Sequence, residues 1–124
     1  MSQILVVDSA AAARQAITAI LHGAGDYIVQ TVPDGWEGLR AAFATTPDAV
    51  VLDMHLSGMD GAAVLHHLRA HGISCPVIAY TTPDERDPEE YEDMGFDAYI
   101  TKSNDSTCLV EVLRSLLATR KRKA

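Results

Sequence analysis

Five short apolar runs alternate along the chain with longer stretches in which apolar residues recur every three or four positions. The first run, Ile4-Leu5-Val6-Val7, is unbroken and rich in β-branched residues, as a strand covered on both faces should be. Tyr27–Val32 is more polar and predicts an edge strand; Ala49–Leu52, residues 76–80 and Ala98–Thr101 predict three more. Between them, Ala13, Ala16, Ile17, Ile20 and Leu21 share one face of a helix over residues 10–22, closed by Gly23. Asp34 with Glu37 has the spacing of a capping box and opens a second helix. Trp36, Leu39 and Phe43 share its face, with Trp36 packed at the helix start. A third helix over 61–71 buries Val64, Leu65 and Leu68, and Gly72 ends it. Residues 87–94 carry a capping aspartate and a proline suited to a first helical turn, but only Tyr91 and Met94 offer apolar surface. A short, weakly held helix is expected there. The last helix, over 106–120, turns Leu109, Val112, Leu113, Leu116 and Leu117 toward the core.

Strands that alternate with helices imply a parallel sheet covered on both faces. Sites in such sheets lie beyond the carboxyl ends of the strands, where strand order reverses. The informative residues are therefore those that follow each apolar run. Asp8 follows the first, Asp53 the third, Thr81 the fourth and Lys102 the fifth. Singly, each reads as a cap or turn residue; four polar groups at one sheet edge make a site. Two carboxylates that repel each other need a cation, supplied by Lys102 or by a hard divalent metal such as Mg²⁺. A phosphoryl oxygen would be held by the metal, Lys102 and the Thr81 hydroxyl. The fitting chemistry is attack by the Asp53 carboxylate on phosphorus, giving an aspartyl phosphate.

Composition narrows the partners. The 124 residues suit one domain of ordinary size, and no apolar run nears the length of a membrane span. A formal charge of −7 argues against direct nucleic-acid binding, which needs clustered Lys and Arg. The one basic cluster, residues 120–123 in a short tail at about 120–124, reads as a solvated helix end or as a linker or docking tail. Cys75 and Cys108 are widely spaced and no secretory leader is evident, so both are expected to be reduced core thiols of a cytoplasmic protein.

At this point the chain resembles the receiver domain of two-component response regulators over essentially its whole length. The resemblance lies in Ile4-Leu-Val-Val-Asp8, Pro47-Asp48 leading into Val-Val-Leu-Asp53, Gly58-Met-Asp-Gly61, Pro76-Val-Ile-Ala-Tyr-Thr81 and Gly95-Phe-Asp-Ala-Tyr-Ile-Thr-Lys102. It implies a flavodoxin-like α/β fold, a five-stranded parallel sheet of order 2-1-3-4-5 with five helices on two faces, as one receiver domain over residues 1–124. It further implies that Asp53 is the phosphoacceptor, that Thr81 is the switch hydroxyl, and that Lys102 contacts the phosphate. Mg²⁺ would be held by Asp8, Asp53 and the backbone carbonyl of His55. Tyr99 matches the aromatic that turns inward when the hydroxyl moves, altering the surface of the fourth helix, fifth strand and fifth helix. The implied partners are a histidine kinase or phosphotransfer protein and a downstream protein or effector domain, with no direct nucleic acid and no membrane. Such a chain is a phosphoacceptor that assists its own transfer and hydrolysis, not an enzyme.

Four positions depart from the family pattern. Ser9 stands where a second acid, the direct metal ligand, is usual. A hydroxyl is a poorer Mg²⁺ ligand, so the metal is expected to bind weakly or not at all, unless Asp8 moves in or a water fills the gap. Ser9 also suits the N-cap of the helix at Ala10. Ser103 replaces the proline that follows the lysine, and a cis bond before a non-proline costs about 2.5–4 kcal/mol, so a trans Lys102–Ser103 bond or a shifted loop is expected. Ser57 replaces another proline and softens its loop, and Thr82 narrows the approach to the phosphate. The alternative reading is a phosphorylation-independent pseudo-receiver acting through protein contacts. A flavodoxin-like enzyme or nucleotide binder is disfavoured, because no glycine-rich loop follows the first strand. His67 and His71, spaced for zinc on one helix face, are expected to form a solvent-facing stripe. The His55 side chain is read either as a loop histidine in solvent or as a neighbour of the phosphate. The acidic stretch from Asp84 to Asp93 is expected to be a solvated face.

Overall fold

The computed structural model describes residues 1–102 and 106–123. Its strands are β1 (Ser2–Val7), β2 (Tyr27–Val32), β3 (Ala49–Leu52), β4 (Val77–Thr81) and β5 (Ala98–Thr101). They pair in parallel in the order β2-β1-β3-β4-β5. The helices α1 (Ala11–Ala24), α2 (Gly35–Thr45), α3 (Gly61–Ala70) and α4 (Pro88–Met94) fill the crossovers, and α5 (Ser106–Lys123) follows β5. The flavodoxin-like architecture expected from the sequence is the one observed.

Strand alternation divides the core in two. Leu5 and Val7 of β1 and Val50 and Leu52 of β3 face one layer, packed with Leu39, Val64, Leu65, Leu68, Tyr91 and Phe96. Ile4, Val6, Ala49 and Val51 face the other, with Ile17, Leu21, Leu109, Leu113 and Leu117. β3 is therefore apolar at every position and β1 from Ile4 to Val7, since both faces are covered there. Edge strand β2 is buried only at Val32.

Several local expectations shift. α1 runs through Gly23 and stops at Gly25, and Ala16 is exposed while Ile17 and Leu21 are buried. In α2, Asp34 caps the Glu37 N–H at 2.8 Å, one half of the expected capping box, but Trp36 and Phe43 lie outside, 64% and 44% exposed. The stripe that packs is Gly35, Gly38, Leu39 and Ala42, one position around the helix. A Cβ at Gly38 would meet Val7 Cγ2 at 2.9 Å, so small residues let α2 press on β1 and leave the rings in solvent. Cys75 is buried as expected, whereas Cys108 is exposed on α5. Among the described residues, no helix is long and apolar enough to cross a membrane.

Candidate functional site

Parallel register assembles the polar residues. Val7 pairs with Leu52, Leu52 with Ala79, and Thr81 with Thr101. Asp8, Asp53 and Lys102 each come one residue after a paired strand end, and Thr81 closes β4. Backbone bonds fix these ends: Asp53 N donates to Val7 O at 2.9 Å, and Lys102 N to Thr81 O at 2.9 Å. Among the described residues, the buried polar ones are Asp8, Asp53 and Thr81. All belong to this one cluster.

Buried charges require partners, and each finds them. Lys102 Nζ pairs with Asp8 Oδ2 and lies 3.4 Å from Asp53 Oδ2. Asp53 Oδ1 accepts from Thr81 Oγ1 at 2.8 Å and from His55 N at 3.2 Å. Thr81 Oγ1 in turn accepts from Met54 N at 3.4 Å. The second carboxylate oxygen of Asp8 accepts from Ala10 N at 2.9 Å, and Arg14 Nη1 holds the Asp8 carbonyl at 2.7 Å. Ser9 is therefore not the cap of α1: Ala10 holds that position and Asp8 takes its N–H. Ser9 Oγ instead lies 3.5 Å from the His55 carbonyl oxygen, on the expected cation side. Ser57 and Thr82 are exposed, and the expected conformation of the Lys102–Ser103 bond lies outside the described residues. Gly61 comes so close beneath the site that a Cβ there would stand 2.7 Å from Asp53 O and 2.8 Å from Met54 Sδ.

Tyr99 stacks on Tyr91, with ring centroids 4.1 Å apart and planes at 8°. Sequence reasoning missed what holds Tyr91. Its hydroxyl donates to Asp84 Oδ2 at 2.9 Å, and Arg86 Nη1 pairs with that oxygen at 2.8 Å. Burial pushes the Tyr91 hydroxyl up to about 12, and the bond to Asp84 adds to the shift. Burial works to raise Asp84 as well, but the Arg86 N–H, the Tyr91 hydroxyl and the guanidinium together hold it below its ordinary value. The signal was present: one tyrosine in a seven-residue polar helix must bury its ring, and its hydroxyl then needs an acceptor. α4 is correspondingly better anchored than its composition suggested. His55, 49% exposed at its side chain, lies beside this network with Nε2 3.9 Å from Asp84 Oδ2. His66 is exposed on α3, His67 is half-buried, and His71, exposed, caps the helix C-terminus; His71 Nδ1 lies 2.8 Å from His67 O. Among the described residues, no three His, Cys, Asp or Glu side chains converge as a metal cluster.

A doubly wound sheet with two carboxylates, a hydroxyl and an ammonium gathered at its carboxyl edge is the arrangement that the resemblance to receiver domains implies. Residues 4–114 match the model of the response regulator receiver domain, and the chain belongs to that family. Receiver domains of this family belong to two-component response regulators. The chain is 34% identical over 116 residues to response regulator MprA of Mycolicibacterium vanbaalenii, covering 93% of this chain and 50% of that one. It is 28% identical over 116 residues to a nitrate/nitrite response regulator protein homolog of Haemophilus influenzae, covering 92% and 56%. The chain thus spans about half the length of these curated relatives. Among solved structures, the BeF3-activated N-terminal receiver domain of Klebsiella pneumoniae RstA superposes with a TM-score of 0.85 at 28% identity, covering 93% and 97%. The Francisella response regulator 1452 receiver domain gives 0.88 at 26%, covering 100% of both.

Proposed function

We propose that Asp53 is the phosphoacceptor, taking a phosphoryl group from a histidine kinase or phosphotransfer protein in the cytoplasm. The observation that carries this is the state of its carboxylate, which is buried, oriented on one oxygen by Thr81 and His55 N, and faced on the other by the Lys102 ammonium. The Asp53 oxygen forms a bond to phosphorus while the P–N bond of a phosphoimidazolium breaks, its electron pair leaving with neutral imidazole. Lys102 offers charge to the phosphoryl oxygens, and the Thr81 hydroxyl is the donor next in reach.

Receiver domains bind Mg²⁺ at this edge, and the donor set here suits a hard cation one charge short of the usual. Asp8, Asp53 and the His55 carbonyl would hold it, with Ser9 Oγ beside that carbonyl. When bound, the ion neutralises charge gathered between carboxylate and phosphoryl oxygens. The receiver is read as one domain over residues 1–124, with the basic cluster at residues 120–123 as a linker or docking tail.

Incubation with radiolabelled acetyl phosphate and Mg²⁺ tests the assignment. The wild type takes an acid-stable, base-labile label, and Asp53→Asn takes none. A chain that stays unlabelled, with a spectrum unmoved by beryllofluoride, is instead the phosphorylation-independent module.

A further inference from the structure

The loop after β4 and the one aromatic of α4 form a network that the phosphoacceptor chemistry does not use. Tyr91 is 0% exposed although its helix has seven residues and is otherwise solvated. One ring face lies flat on Tyr99 at 4.1 Å, and Phe96 meets the ring at 6.0 Å and 60°. The hydroxyl is spent on Asp84 Oδ2, the oxygen that also takes Arg86 and lies 3.9 Å from His55 Nε2. The His55 backbone N–H, in turn, rests on Asp53 Oδ1 at 3.2 Å. A continuous run of contacts thus joins the carboxylate of Asp53 to the outer ring of β5.

We propose that the Asp84–Tyr91 hydrogen bond is a latch: it pins α4 and the Tyr91 ring against Tyr99, so that Tyr99 moves only when the loop carrying Asp84 releases Tyr91. Tyr99 cannot swing away without stripping the face of a fully buried ring. Tyr91 cannot follow without abandoning a charge-assisted bond and leaving its hydroxyl unpaired in the core. Arg86 keeps Asp84 charged and so keeps it a strong acceptor. The latch stands on this geometry alone; its role in signalling rests on the phosphoacceptor reading.

Tyr91→Phe keeps the ring and removes the donor, while Asp84→Asn keeps an acceptor oxygen and removes the charge. Amide hydrogen exchange on the unphosphorylated chain reads the latch. In Tyr91→Phe the α4 amides exchange on the order of 10- to 100-fold faster, while those of α1 and α3 change far less; Asp84→Asn lies between it and the wild type. Exchange in α4 at the wild-type rate overturns the latch, as does equal acceleration in all three helices, which signals only lost global stability. With beryllofluoride, at matched occupancy, the Tyr99 ring signals move further in Tyr91→Phe than in the wild type; equal displacement overturns the coupling. A wild type whose Asp53 and His55 amides ignore beryllofluoride counts against the phosphoacceptor reading, and the exchange result still decides the latch.

Discussion

At position 9 a hydroxyl stands where the receiver pattern leads one to expect a second acid beside Asp8. Asp8, Asp53 and Lys102 leave the pocket with one unit of net negative charge, where a second acid would give two. Ser9 Oγ nevertheless lies at the His55 carbonyl, so position is kept and charge is lost. Restoring a carboxylate by Ser9→Asp adds a unit charge within reach of a divalent ion. Even in a water-like dielectric a unit charge about 4 Å from a divalent ion is worth about 2 kcal/mol, so Mg²⁺ is expected to bind roughly 30-fold more tightly. Isothermal titration with MgCl₂ measures this directly; an unchanged Kd means Ser9 does not border the cation.

At the scale of elements, the site depends on how closely α3 starts beneath β3. Gly61 N donates to Met54 O at 3.1 Å, and no room is left for a side chain there. Gly61→Ala must push the Asp53–Met54 backbone or tilt the helix. The expected cost is about 1–3 kcal/mol in urea unfolding, together with slower labelling of Asp53. Unchanged labelling with lowered stability would show that α3 yields and the strand does not. α2 illustrates the opposite limit of sequence reading. Trp36, Leu39 and Phe43 and Gly35, Gly38, Leu39 and Ala42 are both helical stripes, and periodicity cannot choose between them. The closeness of β1 chooses the small residues.

Over the whole molecule, the Asp84–Tyr91 pair makes stability depend on pH at both ends. The folded chain holds the Tyr91 proton up to about 12 against an ordinary 10. That contribution is complete below about 10 and disappears as pH climbs through about 12. The folded chain holds the Asp84 proton less tightly than the ordinary 3.8, so its contribution is present above that value and fades as pH drops below it. Urea midpoints of wild type and Tyr91→Phe should therefore converge between about 10 and about 12. A constant difference across that range would mean that folding, through burial first and the Asp84 bond second, does not raise the Tyr91 hydroxyl.

The order of strands and helices, the four polar residues at the sheet edge and the family were legible in the sequence. The first two depend on local periods of two and 3.6 and on which residue follows each apolar run, and the family on the resemblance of whole motifs. Where Trp36 points, what anchors α4, and which groups take the two oxygens of Asp53 were decided only by the fold. These follow from the register between distant strands and from how much of each helix face a neighbour covers. Neither quantity is written in the spacing of residues along one chain segment. His55 and Asp84 are 29 positions apart in sequence and 3.9 Å apart between Nε2 and Oδ2, and only the tertiary structure puts them in reach of each other.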